Sequence, residues 1–547
     1  MTRISRSTAV TCAALLSTAL ALATATPPAI AAAATTSPVI APASASAEAN
    51  AGTDADTVAP AALTWGACPT PTPNANGVPF PRDPREQCTS LQVPRDYRHP
   101  AQGTITLEIS RIRTADPAHR RGDLFVVPGG PGGSGLDYPG QMATELPSAV
   151  LGAYDLIGFD ERGVGHSTPV SCDLPAADRA AELNYPFPAP DGSITANLAF
   201  AHTVADDCAA AGGPYLADIS TANSARDLDR IRAALGDRKI SYLGNSYGTY
   251  LGQVYASLFP THADHVVLDS VVAPGGIREG ISLFSQGAAQ TFPALAAYLA
   301  ARDATLHLGA TPDAVRATYF RLTAELDKSP LTLSDGLVLD GNALRALTYS
   351  SLTNPSFYPL AAHAWQVAAT RPTAVPGSRS SRPSQSSQAD QADLSSLSSE
   401  SGQSSQSGPG LPLVIPDNFI AAQDAVICGD SVWPSDPSYY AARTATDRKR
   451  YPLTNGMSGN VWPCAFWHYR PTAPPVRPNP DGPRDVLMLQ NLNDPDTAYA
   501  GARQTLHAFG HRAAMVTIDA SGHGVDFSDP RVTGPLTAFL LTDRLPG

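Results

Sequence analysis

The sequence predicts an α/β protein: a mostly parallel sheet with helices on both faces, interrupted late in the chain by an inserted helical lid. Three observations predict it. Short apolar runs alternate with helical stretches through the first half of the chain. The run at 240–243 leads directly into Gly244-Asn245-Ser246-Tyr247-Gly248 and then into small and apolar residues at helical spacing. The strand–helix alternation stops near 274 and resumes near 484.

The elements follow in order. A basic start with Arg3 and Arg6, an apolar stretch over 9–23 and an Ala29-Ile30-Ala31 cleavage pattern mark residues 1–33 as a secretory signal peptide. Residues 34–62 are rich in Ala, Ser, Thr and Pro, as a flexible leader or propeptide would be. The N-terminal part of the core is expected over 63–274. Residues 104–112 alternate as a half-buried strand, and 123–127, 154–159, 240–243 and 265–272 are runs of the kind buried in a parallel sheet. Residues 275–483 read as the helical lid, for example over 290–299, and carry a Ser/Gln-rich tract at 372–409 too polar to order itself. Two further strands, 485–490 and 514–519, place the rest of the core at 484–547.

Charge and cysteine usage narrow the class. A formal net charge of −12 with no basic stripe argues against nucleic acid and anionic membranes as partners. No segment is long and apolar enough for a stable membrane span. Of the seven cysteines, Cys12 leaves with the signal. Cys68, Cys88, Cys172, Cys208, Cys428 and Cys464 remain, an even set that favours disulfides in an exported chain. Sequence proximity favours Cys68–Cys88, Cys172–Cys208 and Cys428–Cys464. No zinc-ligand spacing, H-E-x-x-H or Walker motif is present, so neither metal nor cofactor is expected.

A strand running into G-x-S-x-G and a helix is a nucleophile elbow, in which the turn projects the hydroxyl of Ser246 from the sheet. A serine hydroxyl needs a general base, itself oriented by a carboxylate. On this plan the acid and the histidine follow late strands, in the order Ser, Asp, His. The strand at 485–490 runs into Asn491-Leu492-Asn493-Asp494-Pro495-Asp496-Thr497, and the strand at 514–519 into Ala520-Ser521-Gly522-His523-Gly524. Asp-Pro often merely starts a turn, and most histidines are solvated or structural; order and strand context select His523. Acyl transfer also needs backbone N–H donors for the oxyanion. One is expected from Tyr247, and the other from Gly130 in the loop Pro128-Gly129-Gly130-Pro131-Gly132-Gly133-Ser134-Gly135. That loop formally matches the dinucleotide fingerprint G-x-G-x-x-G, but Pro131 removes a donor and Pro139 interrupts the helix that would receive the pyrophosphate.

Taken with Phe159-Asp160-Glu161-Arg162-Gly163-Val164-Gly165-His166-Ser167, these motifs resemble the secreted tripeptidyl aminopeptidases of actinobacteria, α/β-hydrolases related to proline iminopeptidases. The resemblance implies an α/β-hydrolase fold and Ser246, Asp494 and His523 as the triad, with Asp494 preferred to Asp496. It also relates Cys428 and Cys464 to the family's late cysteine pair. It implies a secreted, extracellular serine hydrolase of the peptidase type, monomeric, taking tripeptides from peptides with free N-termini through an acyl-enzyme. Three departures stand out: Ala498 where the family has proline, Pro128 where iminopeptidases have histidine, and the Ser/Gln-rich insert.

An aminopeptidase must hold the substrate's ammonium group, for which a buried carboxylate is the natural partner. The lid offers Glu279, Asp424 and Asp430. Other readings stay open: a carboxylesterase or lipase with the same triad, an NAD(P)-dependent oxidoreductase, and an inactive hydrolase fold that serves in binding.

Overall fold

The computed structural model describes residues 63–546 apart from 75–76, 334–337 and 371–413. The expected signal peptide, leader and Ser/Gln-rich tract lie outside the described residues.

An eight-stranded sheet organises the chain. In chain order the strands are β1 (Gln87–Pro94), β2 (Thr104–Ile112), β3 (Gly122–Val127), β4 (Tyr154–Phe159), β5 (Ile240–Asn245) and β6 (Ala263–Asp269). Next come β7 (Leu331–Thr332) and β8 (Val338–Leu339), which form a separate two-stranded hairpin. Finally β9 (Val486–Asn493) and β10 (Ala513–Ser521) rejoin the sheet, whose order is β1-β2-β4-β3-β5-β6-β9-β10. Six adjacent strands, from β4 to β10, are mutually parallel. β2 runs antiparallel to both β4 and β1. The sequence reading did not single out β1: its apolar positions are few, and its eight-residue register with β2 holds it in place.

Period-two alternation splits the strands between two cores, as a sheet covered on both faces requires. Phe125, Val127, Tyr242, Val266, Leu268, Val486 and Met488 face one side, under the helices Thr221–Leu235 and Tyr247–Leu258. Leu124, Val126, Leu243, Val267, Leu487 and Leu489 face the other, under Tyr138–Glu145 and Pro530–Thr542.

Between β6 and β9 the described residues are mostly helical apart from β7 and β8, and two packings occur there. Helices Phe284–Ala300, Pro312–Lys328, Gly341–Thr353 and Tyr358–Ala369 build a core of their own around Phe292, Tyr319, Leu344 and Trp365. Helix Asp417–Asp430 instead packs Ala421, Ala422, Ala425 and Val426 into the sheet's core. Its Asn418 amide donates to the carbonyls of Gly163 and Val170 at 2.8 and 2.7 Å and accepts from the Gly165 N–H at 2.8 Å.

Disulfides join Cys68 to Cys88, Cys172 to Cys208 and Cys428 to Cys464, each pair close in sequence. The second and third tie down loops next to helix Asp417–Asp430. Among the described residues no helix is long and apolar enough to cross a membrane.

A buried ion pair locks the loop after β4. Arg162 donates to both carboxylate oxygens of Asp227 at 2.7 Å, and neither side chain is exposed. The guanidinium also donates to the carbonyls of Arg95 and Asp218, and Tyr97 donates its hydroxyl to Asp227 at 2.6 Å. Removing one partner strands a buried charge. Asp227→Asn should therefore cost about 3–5 kcal/mol of stability, measured by denaturant unfolding. A loss below about 0.5 kcal/mol would show that the pair does not hold this loop.

Candidate active site

The functional side chains gather at the carboxyl ends of β5, β9 and β10. Ser246 stands between β5 and helix Tyr247–Leu258 at φ 55° and ψ −120°, a conformation rare for a residue with a Cβ. Two features hold it there. Its N–H donates to the Asp269 carbonyl at 3.0 Å, and the Asn245 amide donates to the Asp269 carboxylate at 2.9 Å. The glycine-rich loop comes so near that a Cβ on Gly129 would lie 2.6 Å from the Ser246 Cβ.

Asp494 and His523 meet across the ends of β9 and β10. His523 Nδ1 lies 3.1 and 3.0 Å from the two Asp494 oxygens, and Asp494 is fully buried. The carboxylate also accepts the N–H groups of Asp496 and Thr497 at 2.9 and 2.8 Å and the Thr497 hydroxyl at 2.8 Å. With Nδ1 held by the carboxylate, Nε2 is left to face substrate. Ser246 and His523 line one cavity of about 380 Å³. Among the described residues no hydrogen bond joins them; in sites of this kind that contact tightens as substrate enters.

The loop after β3 forms the opposite wall. Gly130 and Tyr247 both line the cavity, and among the described residues neither N–H donates to a backbone or side-chain acceptor. The loop is pinned by Asp160, which accepts from the Ser134 hydroxyl at 2.6 Å and from the N–H groups of Leu136 and His166 at 3.0 and 2.7 Å. At the far side a Cβ on Gly132 would sit 2.5 Å from the Phe419 carbonyl, so the loop is wedged between the nucleophile and helix Asp417–Asp430. Among the glycines that imitate a dinucleotide fingerprint, Gly132 packs on the Phe419 carbonyl and Gly135 on the Phe159 carbonyl, so close backbone packing accounts for them.

A family model described as the alpha/beta hydrolase fold matches residues 124–527. The chain belongs to the α/β-hydrolase family. Within it, this α/β-hydrolase is 33% identical over 472 residues to a tripeptidyl aminopeptidase of Streptomyces lividans, covering 84% of this chain and 82% of that protein. It is 30% identical over 486 residues to carboxylesterase B of Mycobacterium tuberculosis, covering 84% and 85%. It is 28% identical over 475 residues to the serine protease Hip1 of the same organism, covering 84% and 86%. Together these matches make the chain a serine peptidase of the α/β-hydrolase type.

The three carboxylates expected to compete for a substrate ammonium are placed very differently. Glu279 accepts the Gly275 N–H at 2.8 Å and lines neither large cavity, so it closes its own turn. Asp430 accepts the Thr221 N–H and hydroxyl at 2.8 and 2.5 Å, at the start of helix Thr221–Leu235. Asp424 is 4% exposed, makes no hydrogen bond or ion pair among the described residues, and lines a second cavity of about 410 Å³. Asn184, Tyr185, Gln423 and Trp462 border both this cavity and that of Ser246.

Several residues at the site carry no signature of their own in sequence. Asp269 and Ser270, at the end of β6, accept the N–H groups of Val525 and Gly524 at 3.0 and 2.8 Å and so clamp the loop carrying His523. Asp496 lines the cavity and accepts the Tyr349 hydroxyl at 2.7 Å. Thr497 is part of a readable motif, but only the structure shows its hydroxyl on Asp494. Ala498 takes φ −49°, the backbone that a proline would impose.

This surrounding charge acts on His523. Burial works against the charged imidazole, but Asp494, Asp496 and Asp269 outweigh it and raise the pKa from 6.5 to about 9. A general base must be neutral, so activity should be low in acid and rise with pH as His523 loses its proton. The acid limb of kcat/KM should lie well above the usual histidine value, and Asp496→Asn, which removes one negative neighbour, should shift it downward. A limb at the unperturbed histidine position in both proteins would show that these carboxylates do not govern the base.

Proposed function

We propose that this chain is a secreted serine exopeptidase that releases short peptides, tripeptides foremost, from free N-termini. The observation that carries the reading is Asp424: a buried carboxylate without a partner among the described residues, lining a cavity that adjoins that of Ser246. Burial alone pushes its carboxyl up to about 7. An isolated charge is costly at such a depth, and a cation entering the cavity would offset that cost. The free ammonium of a peptide is the cation that an aminopeptidase must read. Helices on both sides of the two cavities act as the lid over Ser246, so that chain ends enter and folded proteins do not.

Ser246 attacks the scissile carbonyl while its proton passes to His523 Nε2, and Asp494 stabilises the resulting imidazolium through Nδ1. The N–H groups of Gly130 and Tyr247 receive the oxyanion. The C–N bond breaks as His523 returns the proton to the leaving amine. Water then attacks the acyl-enzyme by the same route, freeing the short peptide and restoring Ser246. Ser246, His523 and Asp494 act as one unit, so the loss of any member should cost several orders of magnitude in kcat. Three extended residues span about 10 Å, a depth consistent with an acid in the next cavity. The three disulfides fit an oxidising, extracellular setting.

The relative named carboxylesterase B keeps an esterase reading in view, and one experiment separates the two. A tripeptide anilide with a free N-terminus should be hydrolysed, and acetylating that terminus should lower kcat/KM by about 10²-fold or more, the worth of a buried charge-assisted pair. Asp424→Asn should erase most of the difference between the two substrates. Equal hydrolysis of both by the native protein would remove the aminopeptidase reading, and short acyl esters cleaved without any peptide hydrolysis would replace it with the esterase. Ser246→Ala should abolish labelling by a fluorophosphonate while the protein still folds; persistent labelling would place the nucleophile elsewhere.

A further inference from the structure

Beneath the elbow, four oxygen-bearing side chains from four segments form a line that is buried at Glu161, Tyr247 and Thr221 and half-buried at Asp430. Glu161 comes from the loop after β4, Tyr247 from the residue after the nucleophile, Thr221 from the first position of helix Thr221–Leu235, and Asp430 from the last position of helix Asp417–Asp430. The Tyr247 hydroxyl lies 3.2 Å from Glu161 Oε2 and 2.9 Å from the Thr221 hydroxyl, which lies 2.5 Å from Asp430 Oδ2. Three successive oxygen–oxygen contacts each need one hydrogen. Two hydroxyls supply two, and an ionised carboxylate supplies none. The third must come from a protonated carboxyl.

The surroundings select which carboxyl holds it. Asp430 accepts a backbone N–H as well as the Thr221 hydroxyl, at the N-terminus of a 15-residue helix whose dipole favours a negative charge. Among the described residues Glu161 accepts no backbone N–H, and the groups that favour its charge are the Ser224 and Tyr247 hydroxyls. We propose that a neutral Glu161 donates to Tyr247, Tyr247 to Thr221 and Thr221 to Asp430, and that this one-proton relay fixes Tyr247 so that its N–H points at the oxyanion. The inference rests on the reading that the Tyr247 amide is an oxyanion donor. Glu161 is a positioning residue here and touches no substrate.

The electrostatics agree with that assignment. Burial pushes the Glu161 carboxyl up to about 7, and Asp227 and Asp430 push it the same way, against hydrogen bonds from Ser224 and Tyr247. Burial also raises Asp430 to about 7, while its bonds from Thr221 act in the opposite direction. The other charged or titratable groups facing the line are Arg162, which is paired with Asp227, and the phenols of Tyr242 and Tyr250. A carboxyl whose pKa is raised is neutral below that pKa and ionises as pH rises through it. The relay is therefore complete in mild acid and loses its third hydrogen in alkali.

Glu161→Gln puts a donor at the same place that no pH change removes. The measurement is kcat for a free tripeptide anilide from about pH 6 to about pH 9, as the ratio of variant to native protein. For Glu161→Gln the ratio should rise several-fold with pH, because only the native protein loses the relay. Tyr247→Phe, which breaks the line but keeps the ring, should show a deficit in kcat rather than KM that is largest at low pH and shrinks as the native relay ionises. This second variant also serves if Glu161→Gln does not fold, with fluorophosphonate labelling at low pH reporting an intact site. Ratios that stay flat across pH while hydrolysis persists overturn the relay and leave the peptidase reading standing. Absence of hydrolysis by the native protein removes that reading instead, and the relay's catalytic role with it.

Discussion

Everything at the active site is built to keep one residue in a conformation it would otherwise leave. A non-glycine residue at φ 55° and ψ −120° costs on the order of 1–3 kcal/mol and persists only where its surroundings over-determine it. Here they do so from three directions. β5 and β6 fix the backbone before the turn, and Asp269 receives both the Ser246 N–H and the Asn245 side chain. The loop after β3 presses Gly129 against the serine, and Asp160 holds that loop in place. The same Asp269 reaches the loop carrying His523 through Val525, so the strain at Ser246 and the placement of His523 share a single anchor.

Electrostatics are arranged in the same economical way. Acidic groups concentrate around the imidazole, where they raise its affinity for a proton, and Asp424 lines the next cavity with no hydrogen bond or ion pair among the described residues. The first arrangement favours the charged state formed in mid-reaction; the second leaves a desolvated carboxylate that a cation alone satisfies. Burial opposes the first and drives the second, and hydrogen bonding separates the two acids: Asp494 is saturated with donors, whereas Asp424 has none among the described residues.

The parts legible in the sequence were those in which local chemistry dictates local backbone. Glycines flanking Ser246, the glycine-rich loop and the loops after the last two strands are short, contiguous signals with geometric reasons behind them. The sheet was legible as well, because a strand buried on both faces must be apolar along its length. What could not be read is what depends on partners distant in sequence. Glu279, Asp424 and Asp430 look alike as letters, yet one closes a turn, one stands unpaired and one binds a helix start. Asp269 carries no motif, and its importance arises because β6 ends beside two loops that lie far apart in the chain. β1 was missed for a related reason: an edge strand needs few apolar residues when its neighbour supplies the register.

Helix Asp417–Asp430 belongs to the insertion by sequence and to the sheet's core by packing. Asn418 stitches it to the loop after β4, Phe419 abuts the glycine-rich loop, Gln423 borders both cavities and Cys428 is tethered to Cys464. The insertion is consequently not a module that exchanges between relatives as one piece. A chimaera that swaps the four helices from Phe284 to Ala369 already disturbs the floor, because the Thr353 carbonyl accepts the His523 N–H at 2.6 Å and the Tyr349 hydroxyl donates to Asp496 at 2.7 Å. One that extends its cut through Asp430 also removes the wedge behind the glycine-rich loop and a wall shared by the two cavities. In this architecture the loop beside Ser246 and the walls of the cavities share a helix, which ties change in one to change in the other.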